Sequence, residues 1–287
     1  MFLDMVLPFL PCVLWMMMYN RKASLKAFLT HLAKTMSADF FVLHSRHLQY
    51  SINSSLCLIL IYPPLLLVMK NVQGIDARWT EIFRNLQEIV VPCIVTITYT
   101  SICYLLLNSI KSFKELFREK IDLFCPHTTK LLMKNYFDIV KGVEIFENIF
   151  SNVVFILVLH DFCIVTIIVM DLMYDDNWLA TLMLEALTYL LLVFSTLGIL
   201  TTCAANISLE MQSIKTMFLD KMFAHTYEDG LLSYEKQLHL LLKRDICYLT
   251  AGKMFYFDRG FLLKALATVF AEIVVIYQVG SLLKPKN

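Results

Sequence analysis

The chain has 287 residues, of which 58% are hydrophobic and only 17% are charged, and its formal net charge is +1. Soluble domains carry about a quarter charged residues, so this composition predicts a polytopic membrane protein rather than one or two soluble domains. The near-neutral charge gives no reason to expect a nucleic-acid partner or an acidic one.

Six segments are apolar over roughly the 20 residues that a membrane-spanning helix needs. In chain order these predicted spans are Phe2–Tyr19, Ile52–Met69, Ile89–Leu107, Ile149–Met173, Trp178–Ile207 and Phe255–Val279. Residues 109–148 and 208–250 are amphipathic and are predicted to form cytoplasmic helices that extend the spans and pack on each other. No Gly- or Ser-rich linker divides the chain, so residues 1–287 are predicted to form a single all-α transmembrane bundle.

The Lys and Arg residues are divided unequally between the two sides of this bundle. The connections on one side hold eighteen of them, and those on the other side, with the tail, hold five. Because basic residues concentrate on the cytoplasmic side, both the first and the last predicted span should have their free ends outside the cell.

Motifs of soluble enzymes are missing from the sequence. It has no Walker loop, GxGxxG, HExxH or GxSxG motif, so we expect neither enzymatic activity nor a cofactor. The run His160-Asp161-x-Cys163 suggests a metal site at first sight. However, His160 and Cys163 share a helix face while Asp161 should point elsewhere, which favours a buried polar pair over a metal site.

The last predicted span has two polar-containing stripes along its surface. One stripe consists of Ala267, Ala271, Val274 and Gln278, and its neighbour consists of Lys264, Thr268, Glu272, Val275 and Val279. Small residues let helices approach closely or leave space for water. The pattern therefore fits either the wall of a narrow aqueous path or an ordinary packing face.

The residues around this span resemble the carboxy-terminal signature of insect gustatory receptors. The resemblance rests on Leu249-Thr250-Ala251-Gly252, Phe255, Asp258-Arg259 and Leu262-Leu263. The family signature continues with Thr-Tyr, five hydrophobic residues and Gln-Phe, and here the same register holds Ala271-Glu272, IVVIY and Gln278-Val279. Gln278 thus matches, while Ala271, Glu272 and Val279 replace the family residues.

This resemblance implies a plasma-membrane receptor of a sensory neuron that is itself a ligand-gated cation channel. In the family four subunits, identical or mixed, surround a pore lined by the last of seven helices, and a small-molecule tastant opens it. The expected pore-lining residues are Ala267, Ala271, Glu272, Val274, Val275 and Gln278. The six spans match family helices two to seven, so the chain is expected to lack the family's first helix. Glu272 is either a pore-facing acid that favours cations or an acid paired with Lys264 or Thr268.

The resemblance also suggests where the tastant binds, namely in the outer half of the bundle. The expected ligand-binding residues are Tyr99, Asp171, Glu185 and Tyr189, because aromatic rings with a few polar groups suit a small-molecule pocket. The sequence does not specify the tastant.

The sequence favours a gustatory receptor over three other classes of membrane protein. An odorant receptor has the same fold and mechanism, although the motif register favours the gustatory branch. A heptahelical receptor coupled to G proteins should have its C-terminus inside, which the charge distribution opposes. A transporter is disfavoured because the sequence shows no internal repeat.

Overall fold

The structure is a computed structural model that describes residues 7–35, 48–57, 59–62, 64–65, 68, 79–120, 126–174, 183–225, 248–258 and 260–283. Nearly all of these residues are helical. The helices are α1 (Phe9–Thr35), α2 (Leu48–Tyr62), α3 (Trp79–Lys120), α4 (Pro126–Tyr174), α5 (Met183–His225) and α6 (Phe261–Leu283). A two-stranded antiparallel hairpin of β1 (Thr250–Ala251) and β2 (Phe255–Tyr256) precedes α6.

Three helices are long enough to cross a membrane and to continue well beyond it. α3, α4 and α5 contain 42, 49 and 43 residues. At 1.5 Å per residue they are about 63 to 73 Å long, roughly twice the 30 Å thickness of a bilayer core. Each contains an apolar stretch of membrane-spanning length, within Gln87–Glu119, Leu131–Met170 and Ala186–Asp220. The prediction of a polytopic helical membrane bundle is therefore confirmed.

The extensions of these helices pack on one another, as their amphipathic sequences predict. The ring of Phe117 lies 4.2 Å from that of Phe218, and Tyr136 lies 5.7 Å from Phe218. Lys114 on α3 and Glu210 on α5 form an ion pair of 2.8 Å. These contacts join α3, α4 and α5 beyond their predicted spans.

A second aromatic cluster lies nearer the membrane and joins α1, α3 and α4. Tyr99 packs against Phe146 at 5.0 Å and Phe150 at 5.5 Å, and Phe146 also contacts Phe28. All four side chains are almost completely buried. These residues belong to the same hydrophobic core as Phe117 and Phe218 of the extensions.

Two helix boundaries differ from the predicted spans for local physical reasons. α1 continues past Tyr19 to Thr35, because its charged residues beyond Tyr19 end the apolar run without breaking a helix. α6 begins at Phe261 rather than at Phe255, because Phe255 belongs to β2 and a turn precedes the helix. Hydropathy alone cannot distinguish an apolar strand from the first turns of an apolar helix.

Candidate functional site in the last helix and its hairpin

The described residues of α6 that pack against the bundle lie on one face. Phe261 and Val269 are buried, and Leu262 and Ala265 pack against the same core. These residues recur at helical spacing, so they form one stripe along the first part of α6.

The predicted pore-lining stripe lies on the opposite side of α6. Ala267, Ala271, Val274 and Gln278 are all exposed in the isolated chain. With about 100° of rotation per residue, this stripe is roughly opposite to the buried face. Val275 is also exposed, about 80° around the helix from Ala267.

Glu272 occupies a different position from the rest of the predicted pore residues. It follows the buried Val269 by three residues, and its backbone lies about 140° around the helix from Ala267. This backbone position falls between those of Phe261 and Ala265 on the packed face of α6 and not on the exposed stripe. The Glu272 side chain itself lies outside the described part of the structure.

The family-motif residues before α6 form the hairpin and its turn. Gly252 and Lys253 both have positive φ, at 61° and 60°, and the Met254 amide donates to the Ala251 carbonyl at 3.0 Å. Positive φ at both central residues is the pattern of a type I′ turn, and because Ala251 pairs with Phe255, the loop between the strands consists of Gly252, Lys253 and Met254. Because glycine adopts positive φ without steric cost, Gly252 suits this turn.

The inner side of the hairpin binds α4 through a cluster of hydrogen bonds. The Thr250 amide donates to the Glu147 carboxylate at 3.0 and 3.2 Å, and the Thr250 hydroxyl donates to the same carboxylate. The Ser151 hydroxyl lies 3.0 Å from that of Thr250 and accepts from the Lys253 amide at 3.2 Å. The Gly252 amide donates to the Ser151 carbonyl at 2.8 Å.

Apolar contacts complete the attachment of the hairpin. Leu249, Ala251 and Phe257 are almost completely buried, and Phe257 packs against Phe261 at the start of α6. Phe255 stacks on Phe155 of α4, with ring planes 14° apart. The hairpin and the residue that follows it therefore pack against both α4 and the first turn of α6.

Asp258 marks the entry into α6. Its carboxylate pairs with Lys264 at 2.7 Å, and the Phe261 amide donates to the Asp258 backbone carbonyl at 3.1 Å. The Lys264 ammonium, together with backbone amides at the helix start, holds the pKa of Asp258 below its usual value. Lys264 therefore has a carboxylate partner other than Glu272, and the Thr268 hydroxyl donates to the Lys264 carbonyl. Arg259 of the family motif lies outside the described residues.

The predicted ligand-binding residues do not form one described cluster. Tyr99 is only 2% exposed and lies level with Phe150, next to the predicted cytoplasmic start of the span in α4. Tyr189 is half-buried, with its ring 6.3 Å from Tyr62 in an edge-on arrangement. The side chains of Asp171 and Glu185 lie outside the described part of the structure.

The polar run in α4 has a different geometry from the predicted one. His160 Nδ1 lies 3.3 Å from Asp161 Oδ1, and the Thr196 hydroxyl of α5 donates to Asp161 Oδ2 at 3.3 Å. The expectation that Asp161 points away from His160 is therefore wrong, because both side chains are buried in the bundle, where polar groups pair with one another. Among the described residues, no group of three or more His, Cys, Asp and Glu side chains is arranged to hold a metal ion.

Sequence reasoning missed Glu147 and Ser151, the residues of α4 that receive the hairpin. They are four residues apart and so share one helix face, which is a weak signal that a polar partner lies there. Their partner, Thr250, is about a hundred residues away along the chain. No local pattern predicts that pairing.

The fold and the site together define a class of membrane protein, a polytopic helical bundle with a last helix attached through a docked hairpin. Two solved structures share this fold: the insect olfactory receptor OR5 from Machilis hrabei, and the same receptor in complex with eugenol. Their TM-scores are 0.71 and 0.70, and each is 11% identical, covering 94% of this chain and 78% of the receptor chain. No protein-family profile matches the sequence, and no curated protein matches it. The chain therefore has the fold of insect olfactory receptors.

Proposed function

We propose that this chain is a subunit of a chemoreceptor of the insect superfamily that acts as a ligand-gated cation channel rather than an enzyme. The observation that carries the proposal is the fold shared with an insect olfactory receptor over 94% of the chain. In this proposal four subunits, identical or mixed, assemble in the plasma membrane of a sensory neuron. The last helix, α6, then lines the pore.

The exposed stripe of α6 supports the pore assignment. An exposed apolar face alone is satisfied by lipid and indicates no partner. This stripe instead combines the small residues Ala267 and Ala271 with the amide of Gln278, on the side that faces away from its own bundle. Small residues allow close approach of neighbouring subunits, and an amide suits a hydrated path. The backbone position of Glu272 is on the packed face of α6, so we do not assign it to the pore stripe.

The residues of the hairpin favour a gustatory receptor over an odorant receptor. Leu249, Thr250, Ala251 and Gly252 match the gustatory signature, while the structural likeness is to an olfactory receptor. The two branches have the same fold and the same proposed mechanism. They differ in the ligand, which for the gustatory branch is a small-molecule tastant.

We place the ligand in the outer part of the bundle, near Tyr189. The hydroxyl of Tyr62 donates to that of Thr188 at 3.2 Å, and the Tyr62 and Tyr189 rings meet edge to face at 6.3 Å. Aromatic faces with a few hydroxyl groups suit a small, partly apolar molecule. Eugenol, the ligand in one of the similar receptor structures, is a reasonable first probe for this region.

Modification of single cysteines in α6 tests the pore assignment. We expect a charged, water-soluble thiol reagent to block most of the cation current in Ala267→Cys and Ala271→Cys, because both side chains should face the aqueous path. Ala265→Cys is the matched control, since Ala265 packs against the bundle. Currents are recorded from cells that express each variant, at rest and during application of a chemical panel that includes eugenol.

The unmodified chain sets the baseline for this experiment, because it has exposed cysteines of its own at Cys12 and Cys57. Equal block at positions 265, 267 and 271 would mean that the reagent does not report a pore-facing side of α6. Block of Ala265→Cys alone would place the packed face of the isolated chain at the pore, and the assignment would be reversed.

A further inference from the structure

The hairpin is the part of the molecule that connects α4 directly to α6. Along the chain its second strand ends at Tyr256, five residues before α6 begins at Phe261. In space it binds α4 through Glu147 and Ser151. A displacement of α4 near Glu147 and Ser151 can therefore reach the first turn of α6 through the few residues of the hairpin.

The polar side of this path is nearly closed to solvent. Ser151 and Thr250 are 4% and 9% exposed, and Glu147 is half-buried. In surroundings of low polarity, hydrogen bonds to a carboxylate are stronger than neutral ones, and an unpaired carboxylate is costly. The Thr250 hydroxyl and amide both satisfy that carboxylate, so undocking the hairpin leaves Glu147 without these donors.

The apolar side of the path consists of aromatic rings in series. Phe155 of α4 stacks on Phe255 at 6.5 Å, Phe255 contacts Phe261 at 6.3 Å, and Phe257 contacts Phe261 at 5.1 Å. Of these rings, Phe257 and Phe261 are buried, and a close-packed interior transmits displacement rather than absorbing it. Farther along α6, Val274 and Val275 are exposed.

The same turn of α4 is also fixed from the opposite end of the chain. The Arg21 guanidinium of α1 donates to the carbonyl oxygens of Asn148 and Ile149, next to Glu147. α1, α4 and the hairpin thus meet at one polar level of α4. Through the hairpin, the start of α6 is held in position relative to this turn of α4.

We propose that the hairpin is the coupling element that makes α6 follow α4, with Glu147 and Thr250 as its positioning residues. The effect of this coupling on the pore rests on the proposed function, in which α6 is the pore helix. It adds that movement of the ligand-binding bundle reaches the pore through the Glu147–Thr250 contact. The two residues position α6 and do not themselves contact ligand or ions.

Amide hydrogen exchange of the purified full chain in lipid nanodiscs tests the coupling without a ligand. In Thr250→Val the hydroxyl bonds are lost, and we expect exchange to become about tenfold faster in peptides over residues 249–258 and over residues 260–270. Thr250→Ser keeps the hydroxyl and should stay within about twofold of the unchanged chain in both regions. Glu147→Ala removes the bonds from the Thr250 amide as well as the bond from its hydroxyl, so we expect exchange at least as fast as in Thr250→Val. Adding Thr250→Val to Glu147→Ala should change little, because the hydroxyl–carboxylate bond is already lost.

A matched control separates coupling from general loosening of the bundle. Thr201 is another buried threonine, but its hydroxyl donates to carbonyls of its own helix, α5, at 2.8 and 3.1 Å. Thr201→Val should leave exchange in residues 260–270 within about twofold. Faster exchange of the hairpin alone in Thr250→Val, with α6 unchanged, overturns the inference, and so does an equal effect of Thr201→Val.

Cation flux measured on vesicles of the same preparations, with and without a chemical panel that includes eugenol, distinguishes failure of this inference from failure of the proposed function. If α6 loses protection in Thr250→Val but no variant or unchanged chain carries a flux, the channel function fails and the positioning role stands. If the unchanged chain conducts and Thr250→Val leaves exchange in α6 unaltered, the channel function stands and the coupling fails.

Discussion

Two separate constraints favour glycine at position 252: the backbone conformation of the turn and the nearby ring of Phe155. The φ of Gly252, at 61°, lies in the region that L-residues with a side chain rarely adopt, because the turn requires this conformation. In addition, a Cβ atom placed on Gly252 would lie 3.0 Å from Cγ of Phe155. Lys253 has nearly the same φ but is exposed, so only its backbone is constrained.

We therefore expect Gly252→Ala to destabilise the protein by about 1–3 kcal/mol, from backbone strain together with displacement of Phe155. Gly198→Ala in α5 is the matched control. No atom lies within 4 Å of the position that its Cβ would take, and alanine favours a helix by up to about 1 kcal/mol over glycine. Thermal unfolding of both variants in detergent measures the difference. A Gly252→Ala variant as stable as Gly198→Ala would contradict the account of this turn.

At the scale of elements, the periodicity of apolar residues predicts the helices, because helix formation depends on neighbouring residues. The spacing of Phe113 and Phe117 predicts packed helical extensions, and the structure confirms them through the contact between Phe117 and Phe218. The hairpin was missed because Phe255 fits an apolar span as well as a strand. Its docking site was missed because Glu147 and Thr250 are separated by 103 residues, and no periodic pattern reports such a pairing.

The packing of the extensions makes a separate prediction about stability. Phe218 is 6% exposed and contacts the rings of Phe117 and Tyr136. Phe218→Ala should cost about 3–5 kcal/mol, since it leaves a cavity among aromatic side chains. Phe137→Ala is the control, because Phe137 is 42% exposed and should cost much less. Denaturation monitored by the yield of monodisperse protein ranks the two variants, and an equal loss in both would contradict a packed extension.

At the scale of the whole molecule, both the composition of the sequence and the three long apolar helices of the structure indicate a helical membrane bundle. The charge distribution goes further and assigns a direction to each helix, with eighteen basic residues predicted on the cytoplasmic side. Direction matters for the proposed function, because it sets the extensions inside the cell and the end of α6 outside. The predicted ligand site illustrates the limit of sequence patterns: Tyr99 fits an outer pocket by residue type, yet it packs among Phe146 and Phe150.

The most direct test of the central claim is the side of the membrane on which the C-terminus lies. An epitope tag after Asn287 is stained on intact cells that express the chain, with permeabilised cells and a separate surface marker as controls for expression and trafficking. We expect staining of intact cells, as the orientation of an insect chemoreceptor requires. Surface-resident protein whose tag is stained only after permeabilisation would contradict this orientation and with it the proposed channel, and it would favour a receptor coupled to G proteins.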